Sequence, residues 1–164
     1  MKTATVFGSL SSNTDTDFSS VFDILKQYEI TNVFIGGYYG HLKEFTAQCK
    51  ERGIEVTLLI TQKGKDLGYG SSEAVKEVAT EKYFEKKNLL YSSSDVFIFL
   101  PTQQIGLGLL AEIVDLLDYS ITYCAIVKQE LPRIVFMGQA YKTVIENILT
   151  QTNNTLGKNI EYAN

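Results

Sequence analysis

Asp95-Val96-Phe97-Ile98-Phe99-Leu100-Pro101 is the run that decides how this chain folds. After the aspartate, every residue up to the proline is apolar. A short continuous apolar run of this kind marks a strand buried on both faces, as in the middle of a parallel sheet. The next residues, Thr102-Gln103-Gln104-Ile105-Gly106-Leu107-Gly108-Leu109-Leu110-Ala111-Glu112, read as a glycine-containing loop that opens a helix. Upstream, Lys86-Lys87-Asn88 lies on a basic helix that leads into the strand. A loop-to-helix junction at the carboxyl end of a buried strand is where α/β proteins bind phosphorylated ligands.

Outward from this run, strands and helices alternate. Thr3 to Phe7 is a β-prone segment ending in Gly8-Ser9-Leu10-Ser11-Ser12. Phe18, Val21, Phe22 and Leu25 have helical spacing, and Asp15 and Asp17 suit the positive end of that helix. Asn32 to Ile35 is a strand running into Gly36-Gly37-Tyr38-Tyr39-Gly40. Leu42, Phe45 and Cys49 share one face of a helix that stops at Gly53, and Glu55 to Ile60 is a third strand. Thr61 to Ser72 reads as a loop, Val75 to Val78 as a short strand and Glu81 to Ser92 as a helix. Gly108 to Tyr119 is a strongly apolar helix. Arg133 to Met137 is a strand, Gln139 to Thr150 an amphipathic helix, and Asn159 to Tyr162 a terminal strand. This alternation predicts an α/β fold: a three-layer, doubly wound, Rossmann-like and mostly parallel sheet with helices on both faces. At 164 residues, one domain over 1–164 is expected.

Composition narrows the function classes. The net charge of −4 argues against a nonspecific nucleic-acid binder but leaves room for a small anion in a local positive field. Cys49 and Cys124 sit in apolar elements and read as buried thiols. His41 is the one histidine, so neither a histidine-based metal site nor a Ser-His-Asp triad is expected. No stretch is long enough to span a bilayer, and the N-terminus enters a strand without a signal-peptide core, so a cytoplasmic protein is expected.

Three loops should meet at one edge of the sheet: Gly8–Ser12, Gly36–Gly40 and Pro101–Gly108. Glycines let a backbone approach an anion, and hydroxyls add donors. Each loop, taken alone, also reads as an ordinary tight turn. Glu112 falls in the first turns of an apolar helix, near that edge, or on an exposed stripe of it. Lys86 and Lys87 also fit a solvated helix face, because Glu81, Lys82 and Glu85 are close in sequence. There is no GxGxxG dinucleotide fingerprint.

Over residues 3 to 150, these segments together resemble the LOG (Lonely Guy) family, also described as lysine-decarboxylase-like, whose members are nucleoside monophosphate phosphoribohydrolases. The resemblance lies in the Gly8-Ser9 turn, the Gly36-Gly37…Gly40 loop, the Lys86-Lys87 pair where the family has Arg-Lys, and Gly108-Leu-Leu-Ala-Glu112 at the end of its glycine loop. It implies a homodimer that releases free base and ribose 5-phosphate from a nucleoside 5′-monophosphate, with no cofactor. Glu112 and Lys86 would be catalytic. Gly8, Ser9, Gly36, Gly37, Gly40, Lys87, Thr102, Gly106 and Gly108 would bind the nucleotide, with Tyr38 or Tyr39 stacking on the base. The chain departs from the family at Thr102-Gln103, which replace Gly-Gly, at a loop about three residues longer, and at Leu109, which replaces threonine. The second reading is therefore a non-catalytic nucleotide-binding or sensing module on the same fold.

Overall fold

A computed structural model of the chain describes residues 2–10, 16–71, 75–128, 130–152 and 156–164. Seven parallel strands form one sheet: β1 (Lys2–Phe7), β2 (Ile30–Ile35), β3 (Glu55–Thr61), β4 (Lys76–Thr80), β5 (Val96–Phe99), β6 (Arg133–Met137) and β7 (Ile160–Ala163). Their order across the sheet is β4-β3-β2-β1-β5-β6-β7. All pairings are parallel, so the expected α/β three-layer Rossmann-like fold is the observed one.

Two apolar clusters explain the layers. On one face, Val6, Val33, Ile35, Leu58 and Ile98 pack against helices α1 (Ser19–Gln27) and α2 (Gly40–Glu51) through Val21, Leu25, Leu42 and Phe45. On the other, Phe7, Phe97, Phe99, Ile134 and Phe136 meet α4 (Tyr83–Ser92), α5 (Leu107–Asp118) and α6 (Ala140–Gln151) through Leu90, Leu109, Ile113, Leu116 and Tyr141. The sheet side of this second cluster is aromatic. Phe7 stacks on Phe99 at 4.7 Å, and Phe99 on Phe136 at 4.8 Å, because register places these residues side by side on adjacent strands.

Local structure departs from the sequence reading in two places. The stretch read as a loop from Thr61 contains a short helix, α3 (Gln62–Asp66), whose first turn is capped by the Thr61 hydroxyl accepting from the Gly64 amide at 3.1 Å. After α5 the chain continues as a π-helical segment, Tyr119–Lys128. Ile121, Thr122, Ile126 and Val127 are β-branched and have low α-helix preference. Ser11, Ser12, Asp15 and Ser72 lie outside the described residues.

The topology locates the site. From β1 the chain winds outward through β2, β3 and β4, then crosses back to place β5 on the other side of β1. The loops after β1 and β5 therefore diverge and leave a crevice at their carboxyl ends, the topological switch point of the sheet. Side chains fasten this edge from behind. Tyr141 donates its hydroxyl to the Leu100 carbonyl at 2.6 Å, and Thr5 donates to the Leu90 carbonyl at 2.7 Å.

Candidate functional site: a charged pocket at the switch point

The crevice holds a pocket of about 400 Å³. Its floor is the end of β1 with Gly8 and Ser9, and one wall is α4. The opposite wall is the start of α5, from Gly106 to Glu112 and on to Asp115. Gly36 and Tyr39 reach it from the loop after β2.

Glycines at Gly36 and Gly40 are required by geometry. A Cβ on Gly36 would lie 2.9 Å from Leu90 Cδ1 and 3.8 Å from Lys86 Nζ. Gly40 has φ of +51°, and a Cβ there would come within 2.5 Å of the Ser9 and Leu10 carbonyl oxygens. Gly40 thus locks the loop after β2 onto the loop after β1, and the His41 amide donating to Ser9 O at 3.3 Å completes the contact. Gly37 acts through its neighbour: a side chain there would strike the Tyr39 ring.

Charge is concentrated on α4 and α5. Lys86 donates from Nζ to the Gly36 carbonyl at 2.8 Å, and its ammonium lies 5.2 Å from the Tyr83 ring centre. Lys87 is paired with Asp115. Glu112 faces the same space, and its Oε2 is buried with no hydrogen-bond partner among the described residues. Burial raises the Glu112 carboxyl above the ordinary glutamate range, and Lys87 and Lys86 pull it back only in part. Burial also lowers Lys86, opposed by Glu112 and reinforced by Lys87. Tyr39 and Tyr83 are raised, first by burial and then by the Glu112 charge.

The amino end of α5 opens into this pocket. Gly106 precedes the helix with no side-chain cap, and a Cβ at Gly106 or Gly108 would meet nothing within 4 Å. The leading amides of a helix lack intrahelical partners and carry its positive dipole end. Leu107, between the two glycines, is 86% exposed.

Of the residues singled out from sequence, Gly8, Ser9, Gly36, Lys86, Lys87, Gly106, Gly108 and Glu112 line this one pocket. Gly37 and Gly40 shape its loops without lining it. Thr102 turns back on its own loop, donating to Gln104 O at 2.8 Å, and is not among the lining residues. The sequence reading did not single out Tyr83 or Asp115. Both were within reach of helical spacing, since Tyr83 is one turn before Lys86 and Lys87 and Asp115 is one turn after Glu112. Among the described residues there is no metal-binding cluster of His, Cys, Asp and Glu, and no helix is long and apolar enough to cross a membrane.

No protein-family model matches the chain, and no curated protein matches it. Solved structures do. The molybdenum cofactor binding protein from the phototrophic bacterium Rippkaea orientalis is 18% identical, with 99% of this chain and 89% of that one covered and a TM-score of 0.64. The molybdenum cofactor carrier protein MCP from Chlamydomonas reinhardtii is also 18% identical, with the same coverage and a TM-score of 0.62. At this identity the likeness is one of fold.

These findings correct the LOG reading. The neighbours are cofactor-binding and carrier proteins, and nothing found supports a LOG-family or lysine-decarboxylase-like phosphoribohydrolase or, equally, a nucleotide sensor. The physical reason lies in the Pro101 loop. Order and spacing of the switch-point residues belong to the fold, whereas the glycine pair of the LOG cradle is absent and Thr102 turns away from the pocket. The homodimer rests on that resemblance alone.

Proposed function

We propose that this protein is a small-molecule carrier that binds the molybdenum cofactor, or a phosphorylated pterin of similar chemistry, in the switch-point pocket without transforming it. The observation that carries this reading is the pairing of opposite demands in one space. Lys86 and the uncapped start of α5 call for an anion, while the unpartnered Glu112 oxygen calls for an N–H or O–H donor. A phosphorylated pterin carries both. Its phosphate would sit against the α5 amides and Lys86, and an N–H or O–H group beside the phosphate arm would donate to Glu112. Gly106 and Gly108 keep that approach free of side chains. The fold neighbours, one a molybdenum cofactor binding protein and the other a molybdenum cofactor carrier protein, support this reading.

The test is retention. Purified protein is incubated with the molybdenum cofactor and passed over a desalting column, and co-eluting molybdenum, phosphorus and oxidised pterin are measured. We expect near-stoichiometric retention by the wild type and affinity roughly tenfold weaker in Lys86→Met, the size expected for one charge-assisted contact. Failure of cofactor to co-elute with folded wild-type protein would overturn the proposal.

A further inference from the structure

The Lys87–Asp115 ion pair has a second side. Beyond it lies another hollow of about 600 Å³, bounded by α4, α5 and the π-helical segment. Lys87 and Asp115 line both spaces, so the ion pair is the partition between them. The walls of the second hollow are Phe84, Tyr91, Tyr119 and Tyr123. Tyr119 and Tyr123 stack at 5.3 Å and 20°, and Tyr91 lies 5.2 Å from Tyr119.

Its charged groups are two carboxylates, Asp115 and Asp118, against one cation. Asp118 stands on the rim, with Thr122 donating to its Oδ1 at 3.0 Å. Among the described residues that line the hollow, the one cation is Lys87, which Asp115 already holds. Tyr91 is buried, and its hydroxyl has no hydrogen-bond partner among the described residues. An aromatic space with two carboxylates and one cation, already held by Asp115, disfavours an anion. It suits a flat ring whose edge carries N–H donors.

We propose that this hollow receives a flat, uncharged, N–H-bearing heterocycle, the ring end of an elongated ligand whose anionic end lies in the first pocket. The proposal rests on the carrier reading above and adds to it a second subsite. The ring stacks on Tyr123 and donates to Asp118. The ligand spans the Lys87–Asp115 partition.

Free pterin, which has no phosphate arm, is the probe. The chain contains no tryptophan, so pterin emission can be read without overlap from the protein. Pterin is titrated with wild type, Tyr123→Ala, Asp118→Asn and Lys86→Met. We expect quenching by the wild type, affinity about tenfold weaker in Tyr123→Ala from lost stacking, and a clear loss in Asp118→Asn. Lys86→Met should leave pterin affinity within about twofold, because that lysine serves the other pocket. Absence of quenching overturns the proposal. So does equal affinity in Tyr123→Ala and Asp118→Asn, or loss confined to Lys86→Met, which would put the ring in the first pocket. Quenching that disappears as protein concentration rises, with doubled mass by light scattering, also overturns it, because a second copy then fills the hollow. If wild type retains the molybdenum cofactor while free pterin ignores Tyr123 and Asp118, the carrier reading stands and the second subsite alone fails.

Discussion

Glu112 stands in surroundings that a carboxylate does not favour. It is a carboxylate with a buried, unpartnered oxygen, and burial outweighs two nearby lysines. A carboxyl raised in the folded state holds its proton more tightly there than in the unfolded chain. Its contribution to stability is full below the unfolded-state value and is lost as pH rises through the folded-state value. Glu112→Gln is therefore expected to raise Tm at neutral pH, by about 2–4 °C if the relief is near 1 kcal/mol, and the difference should close in acid. Thermal scans of both proteins from acid to neutral pH check this. A variant less stable than wild type at neutral pH would mean that the lysines stabilise the carboxylate more than burial disfavours it. Gly40 is the second residue with a clear demand. Gly40→Ala forces a side chain into a left-handed backbone and against two carbonyls, so a loss of about 1–3 kcal/mol is expected in denaturant unfolding.

Helices α4 and α5 form the working pair of elements. Each presents charge to the pocket from successive turns: Lys86 and Lys87 on one, Glu112 and Asp115 on the other. Asp115 restrains Lys87, and removing the acid frees a cation at the pocket wall. Asp115→Asn should therefore tighten binding of the phosphorylated cofactor several-fold, corresponding to roughly 1 kcal/mol for one part-exposed pair. Equilibrium binding at fixed ionic strength measures it, and unchanged or weaker binding would remove Lys87 from the anion site. The elements show how far sequence could reach. The apolar run of β5, the glycine turns after β1 and β2 and the placement of Lys86 and Glu112 were legible, because periodicity and turn chemistry are local. The Lys87–Asp115 pairing and the second hollow were not, because both depend on how α4 and α5 lie against each other. The LOG reading failed for a related reason: Gly8 and Gly36 answer the close packing of a parallel-sheet crevice, and many chemistries share that crevice.

At the scale of the whole molecule, protection should follow the sheet order. The central strands β1 and β5 have partners on both sides, while β4 and β7 are edges. Hydrogen exchange should be slowest at Ala4–Phe7 and Val96–Phe99 and fastest at Lys76–Thr80 among the strands. Equal protection across all seven would show that the sheet opens only as a unit. The same architecture keeps the cleft separate from what supports it. Tyr141 holds the Leu100 carbonyl, the first after β5, directly before the loop that leads to Gly106. The backbone at the start of that loop is thereby anchored by a buried residue that does not line the pocket, while Gln103, Gln104 and Leu107 are exposed. A protein engineer could therefore vary 102–107 at the mouth of the cleft without redesigning the row of stacked aromatic rings on the sheet beneath it.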